Sequence, residues 1–244
     1  KVHSSVPGMD QNLLRKERVF MRRLRAVIFD MDGVLVNSEP VYLELFSEFF
    51  RRNGRSVCRE ELVRTVGTSS QETWRILACA WGWTEDPMEL RRFYRESCQD
   101  MFVPYGEVAF PEMRKTLEAL SSKGFSLCIA SASARTSIQR MMRETGITPS
   151  IAHVVSGEDV AHSKPAPDVY LKAISLLGLP PENCVAVEDS QCGIQAAKAA
   201  GLRVIGVRSQ LEPDSWKLAD TVIEGIAELD ALLEETDGTN RLEE

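Results

Sequence analysis

Short apolar runs of four to six residues recur along the chain. They occupy positions 24–29, 126–130, 152–156, 183–188, 203–207 and 220–223. Apolar runs of this length, bounded by turn residues, are typical of strands that are buried on both faces. The pattern therefore predicts six strands.

Amphipathic stretches with helical periodicity separate the later runs. Four of them end at a glycine, the residue that commonly terminates a helix, at Gly124, Gly146, Gly178 and Gly201. A regular alternation of strand and helix predicts a parallel sheet covered by helices on both faces. We therefore expect an α/β fold with a doubly wound, Rossmann-like core.

One connection is too long for this pattern. Residues 30–125 separate the first two runs, whereas a simple crossover needs only about a dozen residues. The stretches 38–53, 59–66, 70–81 and 86–102 within it have helical periodicity. We expect a small, all-helical cap domain at 40–104, inserted into a core formed by 22–39 and 105–235.

Composition narrows the possible partners. Hydrophobic residues make up 43% of the chain, charged residues 27%, and the net charge is -7, which disfavours nucleic acid as a partner. No apolar stretch approaches the roughly 20 residues of a membrane span. Six scattered cysteines without metal-ligand spacing favour reduced thiols. We expect a cytoplasmic monomer or weak dimer.

The two ends of the chain are predicted to be tails, at 1–21 and 236–244. The first begins with Lys1, and a basic cluster at 15–25 overlaps its end. It is either a leader foreign to the natural protein or the end of an organelle-targeting segment, in which case the location would be an organelle.

Polar residues follow several of the predicted strands. In an open parallel sheet, ligands bind beyond the carboxyl ends of the strands, so these residues are expected to converge on one edge. Like-charged carboxylates that converge need a cation, and an all-oxygen set suits Mg²⁺. The residues are Asp30, Asp32, Ser131, Ser133, Ser163, Lys164, Glu188 and Asp189.

A lysine, a serine hydroxyl and neighbouring backbone N–H groups beside Mg²⁺ form a site for a phosphoryl group. This set indicates phosphoryl transfer. Asp30 and Asp32 have room for separate roles: one carboxylate can attack phosphorus to form an aspartyl phosphate, and the other can move protons.

Four motifs, in order and in spacing, resemble those of the haloacid-dehalogenase-like hydrolases. They are "DMDGVLVNSEP", "IASAS", "SKPAPDVY" and "VEDSQCGIQAAKAAG", and the resemblance spans residues 24–226. It is strongest to the helical-cap branch that contains beta-phosphoglucomutase and sugar-phosphate phosphatases. The resemblance implies a Mg²⁺-dependent phosphatase of small phosphorylated metabolites, a phosphoric monoester hydrolase.

The resemblance also implies roles for individual residues. Asp30 would be the nucleophile and Asp32 the general acid and base. The implied phosphate ligands are Ser131, Ala132 and Lys164. The implied metal ligands are Asp30, Asp32 through its backbone carbonyl, Asp189, and Glu188 as a ligand or a support.

Two departures from the mutase pattern favour hydrolysis. Tyr42 stands where the mutase branch is expected to have a histidine, and Ser69 and Ser70 stand where it is expected to have an arginine. The alternatives are a phosphomutase of the beta-phosphoglucomutase type, or a non-catalytic regulatory protein that is phosphorylated on aspartate.

The cap offers fewer signals. By resemblance, Gly67, Thr68 and Ser69 lie in a loop that faces the substrate. We expect the tryptophans at 74, 81 and 83 to form cap core, and the arginines at 91, 92 and 95 to form a solvated helix face. The cap is expected to close over the core about hinges near 36–40 and 103–107.

Overall fold

The computed structural model describes residues 24–209 and 214–234. The tails predicted at 1–21 and 236–244 lie outside the described residues. No helix in the described ranges is long and apolar enough to cross a membrane.

Six parallel strands form one sheet in the order β3-β2-β1-β4-β5-β6. β1 lies inside the sheet, and its residue Val27 is in register with Leu127 of β2 and Val185 of β4. All six predicted strands are present and the predicted fold class is confirmed. The strands are β1 (Ala26–Phe29), β2 (Ser126–Ser131), β3 (His153–Ser156), β4 (Cys184–Glu188), β5 (Arg203–Val207) and β6 (Thr221–Ile223).

Each face of the sheet is covered by helices. One apolar cluster contains Val27 and Phe29 of β1, and the other contains Ala26 and Ile28, because successive side chains of a strand point to opposite faces. The helices around the core are α5 (Tyr105–Val108), α6 (Met113–Ser122), α7 (Arg135–Thr145), α8 (Asp168–Leu177), α9 (Gln191–Ala199) and α10 (Glu228–Glu234).

Four more helices lie between β1 and α5. They share a third apolar cluster whose buried members all fall between Leu43 and Cys98, and which includes Trp74 and Trp81. The prediction that these tryptophans form cap core is confirmed, and Trp83 packs partly buried against them. The helices are α1 (Glu39–Arg52), α2 (Arg59–Val63), α3 (Ser70–Trp81) and α4 (Pro87–Ser97).

The last predicted cap helix is shorter than the sequence pattern indicated. α4 ends at Ser97 instead of continuing to 102, because Cys98 leaves helical geometry with φ −123° and buries its side chain in the cap cluster. α2 likewise ends at Val63, before 66. These helices thus have an apolar cluster of their own, while the cap domain at 40–104 stays a prediction.

The sheet order places the polar ends of three strands side by side. β1 lies between β2 and β4, and the chain reverses its direction of winding between β1 and β4. Ligands of doubly wound sheets bind at this switch point, beyond the carboxyl ends of the strands. The residues after β1, β2 and β4 are therefore the ones that form the site.

Candidate active site

The two aspartates after β1 are separated by a buried methionine. Met31 is fully buried in the larger core cluster, whereas Asp30 and Asp32 line the cavity above the sheet. The Asp30 N–H donates to Val187 O at 3.0 Å, which continues the pairing with β4 by one residue. Met31 thus anchors the loop that presents both carboxylates.

Lys164 joins the loops after β1 and β4. Its ammonium donates to Asp30 Oδ1 at 2.7 Å and to Glu188 Oε1 at 2.6 Å. Its side chain is 6% exposed, so these ion pairs are shielded from water. The Lys164–Pro165 peptide bond is cis.

Glu188 is held by donors on both of its carboxylate oxygens. Besides Lys164, the hydroxyl of Tyr170 donates to Oε1 at 2.6 Å. The N–H of Asp189 and the hydroxyl of Ser190 donate to Oε2, each at 3.2 Å. Glu188 is therefore fixed in orientation.

Three buried acids form a cluster that could hold a divalent cation. Asp30, Glu188 and Asp189 each offer a carboxylate oxygen, and these oxygens lie within 4.8 Å of one another. All-oxygen donors suit Mg²⁺. Asp32 was also predicted as a ligand, but its carboxylate is outside this cluster, and a role for its backbone carbonyl stays a prediction.

Two glycines let the carboxylates approach the backbone closely, as a built cation site requires. A Cβ at Gly33 would lie 1.9 Å from Asp189 Oδ2, and a Cβ at Gly193 would lie 1.9 Å from Glu188 Oε1. Any larger residue at either position would displace an acid of the cluster. The residues present therefore fit a cation.

Asp32 has its own set of partners. Its carboxylate accepts hydrogen bonds from the hydroxyls of Ser38 and, at 2.7 Å, Ser133. Burial raises the pKa of Asp32 above its usual value, and the two hydroxyl donors oppose this rise. Tyr42 and Tyr105 lie nearby, with their hydroxyl oxygens 3.3 Å apart.

Burial and the attraction between charges act together on the pKa values of Asp30 and Lys164. Burial raises the pKa of Asp30 to about 7, with Lys164 opposing and Glu188 and Asp32 adding to the rise. For Lys164, burial alone would lower the pKa, but the attraction of Asp30 and Glu188 outweighs it and raises the pKa above its usual value. The lysine therefore stays positively charged.

Ser131 ends β2 beside these acids and is 1% exposed. Its oxygen accepts a hydrogen bond from the N–H of Ser133 at 3.0 Å, which leaves its hydroxyl proton to be donated elsewhere. Ser131 and Ala132 both line the cavity with Lys164. All three predicted phosphate ligands are thus brought to one place.

A cavity of about 300 Å³ lies between the sheet edge and the cap helices. Gly67, Thr68 and Ser69 line its cap side, as predicted from the resemblance. Gly67 donates its N–H to Glu39 Oε1 at 3.2 Å, and Ser69 is the N-cap of α3. Substrate contact by these three residues stays a prediction.

Sequence reasoning missed several residues of the site. The partners of Asp32 and Glu188, namely Ser38 and Tyr170, lie inside the first and third motifs, but nothing in those motifs indicates which acid each one contacts. The arginine prediction was wrong in part: Arg92 and Arg95 are exposed as expected, but Arg91 is partly buried, and Arg91 and Arg95 both line the cavity. Their spacing of four residues, which places them on one helix face, was the available signal.

A family model described as haloacid dehalogenase-like hydrolase matches residues 27–207. The match covers most of the chain, from the second residue of β1 to the end of β5, and includes all the acids of the cluster. The chain belongs to the haloacid dehalogenase-like hydrolases. The motif resemblance is thereby confirmed at the level of the family.

Relatives within this hydrolase family differ in length. A phosphorylated carbohydrates phosphatase of Thermotoga maritima is 31% identical over 187 residues, which cover 75% of this chain and 85% of the relative. SUPPRESSOR OF QUENCHING 1, a chloroplastic protein of Arabidopsis thaliana, is 30% identical over 193 residues. That match covers 78% of this chain but only 18% of the plant protein.

Among solved structures, the hydrolase fold is shared with CbbY from Rhodobacter sphaeroides, crystallised with phosphate. The TM-score is 0.72 at 26% identity, and the match covers 86% of this chain and 99% of CbbY.

Proposed function

We propose that this protein is a Mg²⁺-dependent phosphatase that hydrolyses a small phosphorylated metabolite through an aspartyl phosphate. The observation that carries the proposal is the buried contact of Lys164 with both Asp30 and Glu188 beside Asp189. One buried ammonium against three buried acids leaves an excess of negative charge that a divalent cation would neutralise.

Asp30, Glu188 and Asp189 would hold the cation. When bound, Mg²⁺ supplies positive charge that neutralises a phosphoryl group and lets a carboxylate approach it. Lys164, the hydroxyl of Ser131 and backbone N–H groups near Ala132 would orient the phosphate oxygens. Asp30 then attacks phosphorus, and the P–O bond to the leaving group breaks.

Asp32 is suited to the proton transfers of both steps. A buried carboxyl whose pKa is raised retains its proton at higher pH than an exposed one and can give it to the leaving oxygen. The resulting carboxylate then takes a proton from the water that attacks the phosphorus of phospho-Asp30. Water adds to phosphorus and the bond to Asp30 breaks, which restores the free enzyme.

The cavity and the relatives support a small, polar substrate. A volume of about 300 Å³ suits a metabolite, and threonine and serine hydroxyls line the cap side. The Thermotoga maritima relative is named for phosphorylated carbohydrates. We therefore propose a sugar phosphate or similar ester as the substrate class.

The test is phosphate release from a panel of sugar phosphates, polyol phosphates and nucleotides, with Mg²⁺ and with a chelator. We expect turnover of several panel members with the metal and none with the chelator. Asp30→Asn should abolish turnover. Asp230→Asn, which changes an exposed carboxylate paired with Lys123 outside the site, should leave it unchanged.

Each alternative function has a distinct outcome in the same assay. Isomerisation of a sugar phosphate without release of inorganic phosphate would favour a phosphomutase. A long-lived phosphorylated protein that turns over no metabolite would favour a regulatory role. The cytoplasmic location and the monomeric or weakly dimeric state stay predictions from the sequence.

A further inference from the structure

Two arginines of α4 face the same cavity as the catalytic aspartates. Arg91 and Arg95 both line it, at the helical spacing that places two side chains on one face. Arg91 is partly buried and Arg95 is exposed. The cap wall thus presents two guanidinium groups to whatever fills the cavity.

Neither arginine has a hydrogen bond or an ion pair within residues 24–209 and 214–234. Three arginines elsewhere in the cap do have such a partner, because Arg51, Arg75 and Arg92 each contact a carboxylate within 3.0 Å. Burial lowers the pKa of Arg91, and repulsion from Arg95 lowers it further, so the two charges are close enough to interact. Two like charges at this spacing repel each other unless an anion lies between them.

Nearby acids do not neutralise this pair. Glu39 on the cavity wall accepts the N–H of Gly67. Glu158 of the core attracts Arg91 but lies beyond ion-pair distance and accepts the N–H of Arg135 at 3.1 Å. Arg95 also lies in the last turn of α4, where a cation is favourable at the helix end, but this does not account for Arg91 in the middle of the helix.

We propose that Arg91 and Arg95 bind a second acidic group of the substrate, a carboxylate or another phosphate at the end remote from the reacting phosphate. This inference rests on the proposed function, because it assumes that the reacting phosphate lies at Asp30. Guanidinium groups form paired, charge-assisted hydrogen bonds with either acidic group. The preferred substrates are then phosphate esters with two acidic groups.

The test compares matched substrates that differ in one acidic group. Glycerol phosphate is compared with phosphoglycerate, and fructose phosphate with fructose bisphosphate. We expect a lower KM for the second member of at least one pair, and which pair responds shows whether the group is a carboxylate or a phosphate. Arg91→Gln with Arg95→Gln should raise that KM about 10- to 100-fold, with little change in kcat.

Arg92→Gln is the matched control, because Arg92 is on the same helix but pairs with Glu89 away from the cavity. It should leave both substrates unaffected. The double variant should also leave KM for the singly charged members within about twofold of the wild type. These two controls distinguish the loss of contacts with the second acidic group from a general loss of cap stability.

Equal KM values within both pairs for the wild type, or an equal rise for both members in the double variant, would overturn the inference and leave the phosphatase standing. Absence of turnover on every substrate would instead overturn the proposed function. Calorimetry would then measure how tightly the same pairs bind to the Asp30→Asn protein. The inference requires that the member with two acidic groups binds more tightly than its partner. It also requires that this difference disappears when Arg91→Gln and Arg95→Gln are added.

Discussion

Met31 shows how one buried residue organises two catalytic candidates. Its side chain is fully buried in the core, while the carboxylates on either side of it have separate partners. Lys164 contacts Asp30, whereas Ser38 and Ser133 contact Asp32. Neighbours two positions apart thus have different electrostatic surroundings, which is what a nucleophile and a proton donor require.

Removing one hydroxyl should alter how Asp32 titrates. Ser133→Ala deletes a donor that stabilises the Asp32 carboxylate, so the pKa of Asp32 should rise further. Because the protonated acid then persists to higher pH, the falling alkaline limb of kcat on a sugar phosphate should move to higher pH. Ser122→Ala, at an exposed hydroxyl of α6, should not move it. A shift toward lower pH would contradict the role of Ser133.

The stability of the metal-free protein should depend on the titration of Asp30. Its pKa is raised from 3.8 to about 7, so the folded state binds the proton more tightly than the unfolded state. The resulting stabilisation is complete below about pH 4 and is lost as the pH rises through about 7. Thermal melts in chelator should therefore show a fall in Tm over this window.

Mg²⁺ should reverse that fall, because the cation favours the ionised carboxylates. Asp30→Asn removes the titrating group and should make the fall in Tm smaller, while Asp230→Asn should retain it. A fall of the same size in the Asp30→Asn protein would show that Asp30 does not carry the effect.

Among the secondary-structure elements, the turn after β1 has two geometric constraints at one glycine. Gly33 has φ +81°, in the region that favours glycine, and also lies against Asp189. Gly178 at the end of α8 has φ +64° but nothing within 4 Å of a Cβ. An alanine at Gly178 would strain only the backbone, whereas an alanine at Gly33 would strain the backbone and also displace the Asp189 carboxylate.

Gly33→Ala and Gly178→Ala should each lose about 1–2 kcal/mol of stability from the left-handed backbone. Only Gly33→Ala should also weaken Mg²⁺ binding, by about 10-fold or more, because its methyl group displaces Asp189. Calorimetry with Mg²⁺ would measure the difference. Equal Mg²⁺ affinities for the two variants would contradict the placement of Asp189 in the cation site.

The elements themselves were largely predictable from sequence, and their side-chain partners were not. β4 was expected at 183–188 and lies at Cys184–Glu188, since a buried parallel strand leaves an uninterrupted apolar run. The hydrogen bond of Tyr170 with Glu188 depends on how α8 packs on the sheet, which no local pattern records. The spacing of Arg91 and Arg95 places them on one helix face, but that this face lines the cavity likewise depends on how α4 packs.

At the scale of the whole molecule, the cavity is formed by both parts of the chain. The sheet edge supplies the acids and Lys164, while the cap helices supply hydroxyls, aromatic side chains and the arginine pair. On the proposed function, the core would carry the chemistry and the cap would recognise the substrate. Closure of the cap about 36–40 and 103–107 stays a prediction, and it would exclude water while the phosphoryl group is transferred.

The central claim is that the phosphoryl group passes through Asp30. Asp32→Asn should slow the hydrolysis of phospho-Asp30, because the base that activates water is lost. The phosphorylation of Asp30 should still occur with an aryl phosphate, because its leaving group needs little protonation. The phosphorylated enzyme should therefore accumulate. Rapid quenching of Asp32→Asn with an aryl phosphate and Mg²⁺, followed by peptide mass spectrometry, tests the claim directly. We predict one phosphoryl group on the peptide carrying Asp30, and none when Asp30→Asn is added. Phosphorylation that persists in the double variant, or turnover without any phosphorylated peptide, would contradict the account.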